Sequence, residues 1–430
     1  MCDTFVCLGN KTESGFPIFG KNSDRDPNEP QIFTFIPKGD NEYSKKIKTT
    51  YIEIEPYKKT YSVFLSKPVW LWGGEMGINE AQVAIGNEAV FTKAKDRNIG
   101  LTGMDIIRIA LETCVSAFEA LMKIIELIEK YGQGGNCGYE KKIFYHNSFL
   151  ISDRSEAYVL ETIDKLYAYK KISDFYNISN KLSIGSDYDG AHPEVKKGID
   201  IEKFYSDRLY TYFSGAKVRE KRGRELLQQY RNHNLKSFIQ ILSDRKYGFA
   251  SMRNICMNAG GGLVSSQTTA SMIVEYGVKN IIWFTMSPNP EISLFKPVFF
   301  TDESNPLNIK REEDLTKTWK LNNLFFRMFI LNYEDNLDKI NPLKNECQNK
   351  IFELIEKAEL DKLSNDELNE ITKKSLDIEN EYREKGLKLM ENTKNKKYFY
   401  FTSYWHNENR KLFEEEKSEE LKILYKQYLF

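Results

Sequence analysis

Met1-Cys2-Asp3-Thr4-Phe5-Val6-Cys7, followed by Phe16-Pro17-Ile18-Phe19-Gly20-Lys21-Asn22-Ser23-Asp24-Arg25, is the pair of segments on which the reading of this chain turns. Cys2, Thr4, Val6 and Leu8 alternate with Asp3, Phe5 and Cys7, a period of two that suits a strand and puts Cys2 and Cys7 on opposite faces. Turn chemistry over Asn10 to Gly15 and the apolar run Phe16 to Gly20 predict a second strand returning beside the first. Such a hairpin carries the polar cluster Lys21 to Arg25 back towards Cys2. If the initiator Met1 is removed, as a small second residue permits, Cys2 holds a thiol and a free α-amine on one residue. With a reference pKa of about 7.7 to 8.0, that amine can take the thiol proton near neutral pH. Lys21 is the candidate cation favouring thiolate, and Asp24 the candidate carboxylate that holds the amine. Blander readings stand beside these: Cys2 as a small buried strand residue, and Asp24 in a solvated turn bonded to local backbone.

The chain has 430 residues, enough for a sizeable core and more than one domain. Lys plus Arg and Asp plus Glu number 62 each, so the balance carries no footprint for nucleic acid or an anionic membrane. No apolar run approaches the roughly 18 residues of a spanning helix, and the first residues lack a signal-type apolar region, which makes the cytosol the expected location. Six cysteines are scattered without a CxxC pair, and the four histidines form no ligand cluster. Reduced thiols, no cofactor and no metal are therefore expected. The expected partner is a small peptide or N-acyl amide, with no nucleic acid and no membrane insertion, and a homo-oligomer stays open.

Further strands are predicted over Gln31 to Pro37, Thr50 to Glu55, Tyr61 to Ser66 and Val83 to Asn87. Trp70 and Trp72 are candidates for a pocket wall, though such a pair is more often core packing. Asn87, at the end of a buried strand, is a candidate oxyanion donor, as is Asn180 beside the run Leu182 to Ile184. Apolar spacing predicts one helix from Thr102 to Tyr131 with Val115, Phe118 and Met122 in its packed stripe and Cys114 as a structural residue. The helix is stopped by Gly132-Gln133-Gly134-Gly135. An antiparallel meander follows over Ile143 to Ser152, Ala157 to Thr162 and Leu166 to Lys170. It contains His146, read as structural, and Asn147, a candidate substrate contact with Asn22, Arg25, Trp70 and Trp72.

Helical patterning runs from Ile201 to about Leu242. Arg208, in an aromatic setting, is the candidate buried arginine, whereas the basic patch Lys217 to Arg224 reads as a solvated face. Strand pairs separated by glycines follow, from Ile255 through Gly260-Gly261-Gly262 to Met286. The composition then turns Lys- and Glu-rich, dividing the chain into a catalytic domain over 2–302 and a helical extension over 303–430. A capping box at Ser364 and Glu367 heads one of the extension's helices, and the aromatic segment Tyr398 to Trp405 is expected to dock the extension onto the body.

Taken in order, several of these segments resemble the secernins, within the C69 peptidase (dipeptidase) group of N-terminal nucleophile hydrolases. They are Cys2-Asp3-Thr4-Phe5-Val6, Phe19-Gly20-Lys21-Asn22-Ser23-Asp24-Arg25, Trp70-Leu71-Trp72-Gly73 with Glu75-Met76-Gly77, and Ile85-Gly86-Asn87-Glu88-Ala89-Val90-Phe91. Tyr131-Gly132-Gln133-Gly134-Gly135, His146-Asn147-Ser148-Phe149-Leu150, Ile178-Ser179-Asn180, Ser265-Ser266-Gln267-Thr268-Thr269 and Leu294-Phe295-Lys296-Pro297 continue the pattern over about the first 300 residues. The resemblance implies an α+β fold, the αββα four-layer sandwich of two antiparallel sheets between helical layers, and a cysteine hydrolase of dipeptide or N-acyl amide bonds.

A more distant similarity to bile-salt and penicillin V acylases aligns their GRNxD motif with Gly20 to Asp24. Lys21 then replaces an arginine, keeping the charge and losing the bidentate geometry. The same comparison puts Asn87 and Asn180 at oxyanion or positioning amides and Arg208 at a second arginine, while Asn258 stands where many secernins have histidine. A reading from another class is a secernin-like interaction protein of secretion or trafficking that does no catalysis.

Overall fold

The computed structural model describes residues 1–39, 45–58, 61–94, 99–260, 265–391 and 399–430. Its strands come first in two hairpin-rich stretches: β1 (Cys2–Cys7), β2 (Ile18–Arg25), β3 (Gln31–Ile36), β4 (Ile47–Lys48), β5 (Glu53–Ile54), β6 (Val63–Pro68), β7 (Met76–Asn79) and β8 (Ala84–Val90). Helices α1 (Gly103–Thr113) and α2 (Ala117–Tyr131) precede the meander β9 (His146–Ser152), β10 (Ala157–Ile163) and β11 (Leu166–Lys171), which β12 (Phe175–Ile178) and β13 (Gly190–Ala191) follow. Next are α3 (Ile201–Tyr205), α4 (Arg208–Phe213), α5 (Ala216–Gln229) and α6 (Leu235–Leu242), then β14 (Gln267–Glu275), β15 (Ile281–Phe284) and β16 (Lys296–Val298). The remainder is helical: α7 (Glu312–Ile330), α8 (Tyr333–Glu356), α9 (Asn365–Met390), α10 (Phe399–Glu415) and α11 (Glu419–Leu429).

Two antiparallel sheets face each other. One is six-stranded in the order β12-β1-β2-β14-β15-β16, and the other eight-stranded in the order β13-β11-β10-β9-β8-β7-β6-β3. Alternation sorts their side chains. Val6, Phe19, Phe64, Ala84 and Leu150 fill the layer between the sheets, while Phe5, Cys7 and Ile18 face the helices that cover the six-stranded sheet. Ile85, Phe149 and Ile151 face α1 and α2 on the other side. The result is the αββα sandwich implied by the resemblance.

The predicted hairpin forms, but its second strand runs to Arg25, so the polar cluster Lys21 to Arg25 is buried sheet and not a solvated turn. The single helix expected over Thr102 to Tyr131 is two. Thr102 caps α1 with a capping box to Asp105, α1 ends at the buried Cys114, and Ser116 caps α2 through the Glu119 amide. That break resets the helical phase, which is why Val115, Phe118 and Met122 end up exposed. Gly132 terminates α2 at φ 70°, a backbone conformation that glycine adopts without strain. The patterning after Ile201 also resolves into four short helices in place of one long run. Gly261, Gly262 and Tyr398 lie outside the described residues.

Helices after residue 302 share the core of the sheets. Phe325, Phe326, Phe329 and Trp405 pack in one cluster with Ile18, Phe238 and Trp283. Trp319 of α7 is fully buried in the inter-sheet cluster, and its indole N–H donates to the Thr269 carbonyl at 3.0 Å. Among the described residues no helix is long and apolar enough to cross a membrane. Trp319→Ala removes a large filler from this shared core and is expected to cost about 3–5 kcal/mol, read as a lowered midpoint in chemical denaturation. Trp319→Phe should recover most of that loss.

Candidate active site

Cys2 opens β1 and lies opposite Ser23 of β2, with Thr4 opposite Lys21. The register gives β1 two working faces. Cys2 and Thr4 point between the sheets, and Asp3 and Phe5 point at α5. On the inner side the Cys2 sulfur lies 3.8 Å from Glu75 Oε2. Lys21 crosses the sandwich, where its ammonium donates to the Asn87 carbonyl oxygen at 2.7 Å and to Glu88 Oε1 at 3.2 Å. Glu88 also accepts from the Thr4 hydroxyl. Gly86 makes this crossing possible, because a Cβ there would lie 2.5 Å from Lys21 Cδ.

Electrostatics at Cys2 are a contest. Burial pushes its thiol up to about 11, while the Lys21 ammonium pulls it down, with Glu75 and Asp24 on the side of burial and the N-terminal ammonium against it. Burial works against the Lys21 charge too, yet the sulfur, Glu88 and Glu75 together raise its pKa. Desolvation raises Glu88 to about 7 against the opposing pull of Lys21.

On the outer side Asp3 is paired with Arg219, whose Nε donates at 2.9 Å. Arg219 also donates to Asn180 Oδ1 at 2.6 Å, and that same oxygen accepts the Cys2 backbone N–H at 2.8 Å. The Asn180 Nδ2 donates to the Ala89 carbonyl at 3.0 Å. Asp24 accepts from Thr268 Oγ1 at 2.6 Å through one carboxylate oxygen, and its other oxygen is buried without a partner. Burial raises the Asp24 pKa, with the N-terminal ammonium and Arg219 opposing.

A cavity of about 510 Å³ opens beside Cys2. Asp24, Arg25, Glu29, Glu75 and Ala89 line it near the sulfur, Phe91, Tyr145, Tyr210 and Phe213 give it an apolar side, and Tyr404, Glu408 and Lys411 of α10 close it from the C-terminal helices. Arg25 is fully engaged: its guanidinium grips Glu29 at 3.0 and 2.6 Å, Glu75 at 2.7 Å and the Cys137 carbonyl at 2.9 Å. Farther out, Asp26, Glu140 and Glu408 bring oxygens within 4.8 Å of one another. Lys411 bridges two of these carboxylates, at 2.7 Å from Glu140 and 3.1 Å from Glu408.

Of the residues singled out in the sequence, Cys2, Lys21, Asp24, Arg25 and Asn180 come together here. Asn22 does not: its amide donates to the carbonyls of Leu242 and Ile255, tying α6 to β2 on the helix side. Asn87 and Asn147 lie 2.9 Å apart on the α1 side of the eight-stranded sheet, and Asn147 continues to Gln133 at 2.9 Å. With its nitrogen turned to Glu75, Asn87 donates to the Glu75 carbonyl at 3.1 Å and to Oε2 at 3.3 Å, so it orients Glu75 and does not line the cavity. Trp70 stands behind the wall with its indole N–H on Glu29 at 2.7 Å, and Trp72 lies under the Arg108 guanidinium, 4.1 Å from the ring centroid.

Arg208 is exposed at the start of α4, where Tyr210 and Phe213, not the arginine, reach the cavity. The buried arginine is Arg219, from the patch read as a solvated face. Ala216, Arg219, Gly223, Leu226 and Leu227 form the buried stripe of α5, a spacing of three and four visible in the sequence. Glu75 and Glu29 were also not singled out as site residues: Glu29 lies four residues from its partner Arg25, whereas Glu75 is distant from Arg25 in sequence and no local pattern marks it.

No family model matches the chain. Among solved structures it is similar to a penicillin V acylase from Agrobacterium tumefaciens, at 11% identity and TM-score 0.45 over 72% of this chain and 89% of that one. It is also similar to a conjugated bile acid hydrolase from Clostridium perfringens, at 13% identity and TM-score 0.42 over 70% and 97%. An N-acylethanolamine-hydrolyzing acid amidase ortholog from Caenorhabditis elegans is matched at 12% identity and TM-score 0.35 over 63% and 92%.

The buried carboxyls make a prediction about pH. Burial raises Asp3 to about 6 and Glu88, Asp26 and Glu161 to about 7, from ordinary values of 3.8 and 4.5. Between those limits the folded chain binds more protons than the unfolded one, so their stabilisation is complete at the acid end and is lost as pH rises through 6 to 7. Buried His233 and, at the upper end of the interval, Lys344 have lowered pKa values and act with the opposite sign, whereas Asp24, Asp105, Glu275 and Glu291, also raised by burial, act with the four carboxyls. The urea midpoint is expected to be higher near pH 5 than near pH 7.5, and a midpoint rising over that interval would contradict this assignment.

Proposed function

We propose that this chain is a cysteine-dependent amide hydrolase, acting on a dipeptide or N-acyl amide, whose nucleophile is the Cys2 thiol after removal of Met1. The observation that carries this reading is the convergence on one residue, at the wall of a cavity, of a thiol flanked by Lys21 and Glu75 and a backbone nitrogen held by Asn180. Loss of Met1 turns that nitrogen into an α-amine. One N–H still donates to Asn180 Oδ1, itself oriented by Arg219, and the lone pair is free to take the thiol proton.

The thiolate then attacks the substrate carbonyl. A C–S bond forms, negative charge collects on the carbonyl oxygen, and the C–N bond breaks as the α-ammonium returns its proton to the leaving nitrogen. Water attacks the thioester with the amine again as base, releasing the acid and restoring the thiol. The ammonium formed at Cys2 sits next to the sulfur and adds to the pull of Lys21 against burial. In this scheme the oxyanion donor is Asn180 Nδ2, which donates to the carbonyl of the cavity-lining Ala89. The role of Asn87 in this scheme is indirect: its carbonyl anchors Lys21 and its amide orients Glu75. The secernin-like dipeptidase class is the finer form of the proposal.

In the processed chain Cys2, beside Lys21 and its own α-amine at the cavity wall, is expected to be alkylated by limiting iodoacetamide ahead of the other five cysteines, although all six are buried. Cys2→Ala should reduce turnover of a dipeptide and acyl-amide panel to background, and Asn180→Ala should lower kcat by roughly 10²–10³. Full activity in Cys2→Ala would sink the scheme. A processed chain that hydrolyses nothing in the panel would favour an interaction protein.

A further inference from the structure

Met1 lines the cavity beside Cys2, and its removal would enlarge that cavity. Its α-ammonium donates to the Asp24 carbonyl oxygen and lies 3.4 Å from Ser266 Oγ. Its own carbonyl accepts the Asp24 N–H at 2.6 Å, and Arg219 Nη1 stands 4.0 Å from its sulfur. Met1 thus extends β1 by one residue along β2, with both backbone groups of Asp24 engaged. Asp24 is 1% exposed and Ser266 7%, so these groups are built into the wall and are not a frayed end.

Excision of Met1 leaves the Asp24 N–H and C=O unpaired at the cavity wall, and an orphaned buried backbone group costs roughly 1–3 kcal/mol. From this we infer that the vacated position is a binding subsite for an L-α-amino acyl group with a free α-amine and an unbranched apolar side chain. The ligand takes up the partners Met1 leaves: its ammonium goes to the Asp24 carbonyl and Ser266 Oγ, its side chain to the space beside Arg219, and its carbonyl oxygen turns towards the Asp24 N–H with the carbonyl carbon moved off the Cys2 nitrogen, to which Met1 was bonded. Occupancy requires one more chain residue in β-register, which selects the L configuration. N-acylation removes the charge that the two acceptors receive, and a β-branched side chain differs in shape from the one the wall now encloses. The inference rests on the proposed removal of Met1, and it assigns the residue on the acyl side of the scissile bond.

Two forms of the full chain test it, one made in cells with active methionine aminopeptidase and the other with that enzyme inhibited, each checked by intact mass. Titration calorimetry with free L-methionine reads the site directly. Binding is expected to the processed form only, at least tenfold weaker for D-methionine, N-acetyl-L-methionine and L-valine, and weakened several-fold in Ser266→Ala. The inference is overturned if L-methionine does not bind the processed form, if N-acetyl-L-methionine binds as tightly, or if the mature protein retains Met1. Its fate separates from that of the hydrolase reading. Selective L-methionine binding without turnover of any amide keeps the subsite and sinks the hydrolase, whereas turnover of acyl amides without L-methionine binding does the reverse.

Discussion

A lysine ammonium buried between two sheets is the constraint to which the rest of this site conforms. Lys21 belongs to the six-stranded sheet, and its partners Glu88 and the Asn87 carbonyl belong to the eight-stranded one, so the ion pair fastens the two halves of the sandwich. Removing such a charge from water is unfavourable by several kcal/mol, and only compensating charge and hydrogen bonds nearby offset that cost. The surroundings supply them: a carboxylate on the facing strand, a carbonyl, a glycine that clears the path, and the Cys2 sulfur. The demand runs both ways. A charge on the Cys2 sulfur meets part of what Lys21 requires, and that pull opposes the burial that raises the thiol to about 11.

Strand alternation then separates two tasks that meet at one residue. The inner face of β1 and β2 controls the sulfur through Lys21, Thr4 and, across the cavity, Glu75. The outer face controls the nitrogen through Asp3, Arg219 and Asn180, in contact with α5. Gly223 lets that helix approach, since a Cβ there would lie 2.6 Å from Asn177 and 2.7 Å from Phe5. A buried Arg–Asp pair is weak evidence for stability in itself. Here it fixes the Asn180 carbonyl, and through it the direction of the Cys2 N–H.

The hairpin, the meander and, at the site, Cys2, Lys21 and Asp24 were legible because each is written in a local pattern. Period-two alternation marks β1, and a polar run directly after an apolar strand marks Lys21 to Arg25. What escaped was decided by facing and by distance. Asn22 and Asn87 are amides of the kind sought, on strands of the kind sought, but their side chains lie on the helix side, and a change of one residue in phase reverses such an assignment. Arg219 was hidden inside a basic run whose overall charge suggested solvent, although its spacing from Ala216, Gly223 and Leu226 belongs to a packed face. Arg208 was drawn in by its aromatic neighbours, which do reach the cavity while the arginine does not. Glu75 finds Arg25 and Cys2 only through the sheet pairing, and no local pattern carries that information.

Cys2 and Tyr404 line the same cavity, one from the first strand and the other from α10. Synthesis delivers them far apart in time: at about 5–20 residues per second, the interval is on the order of tens of seconds. During that interval β1 emerges before β12 and β14 exist to bury it. Once the sheet closes, Met1 is half-enclosed and hydrogen-bonded to Asp24. The wall made by α10 comes later still. The order of translation therefore acts as a clock, in which Cys2 emerges early and the cavity wall facing it is completed only when the C-terminal helices arrive.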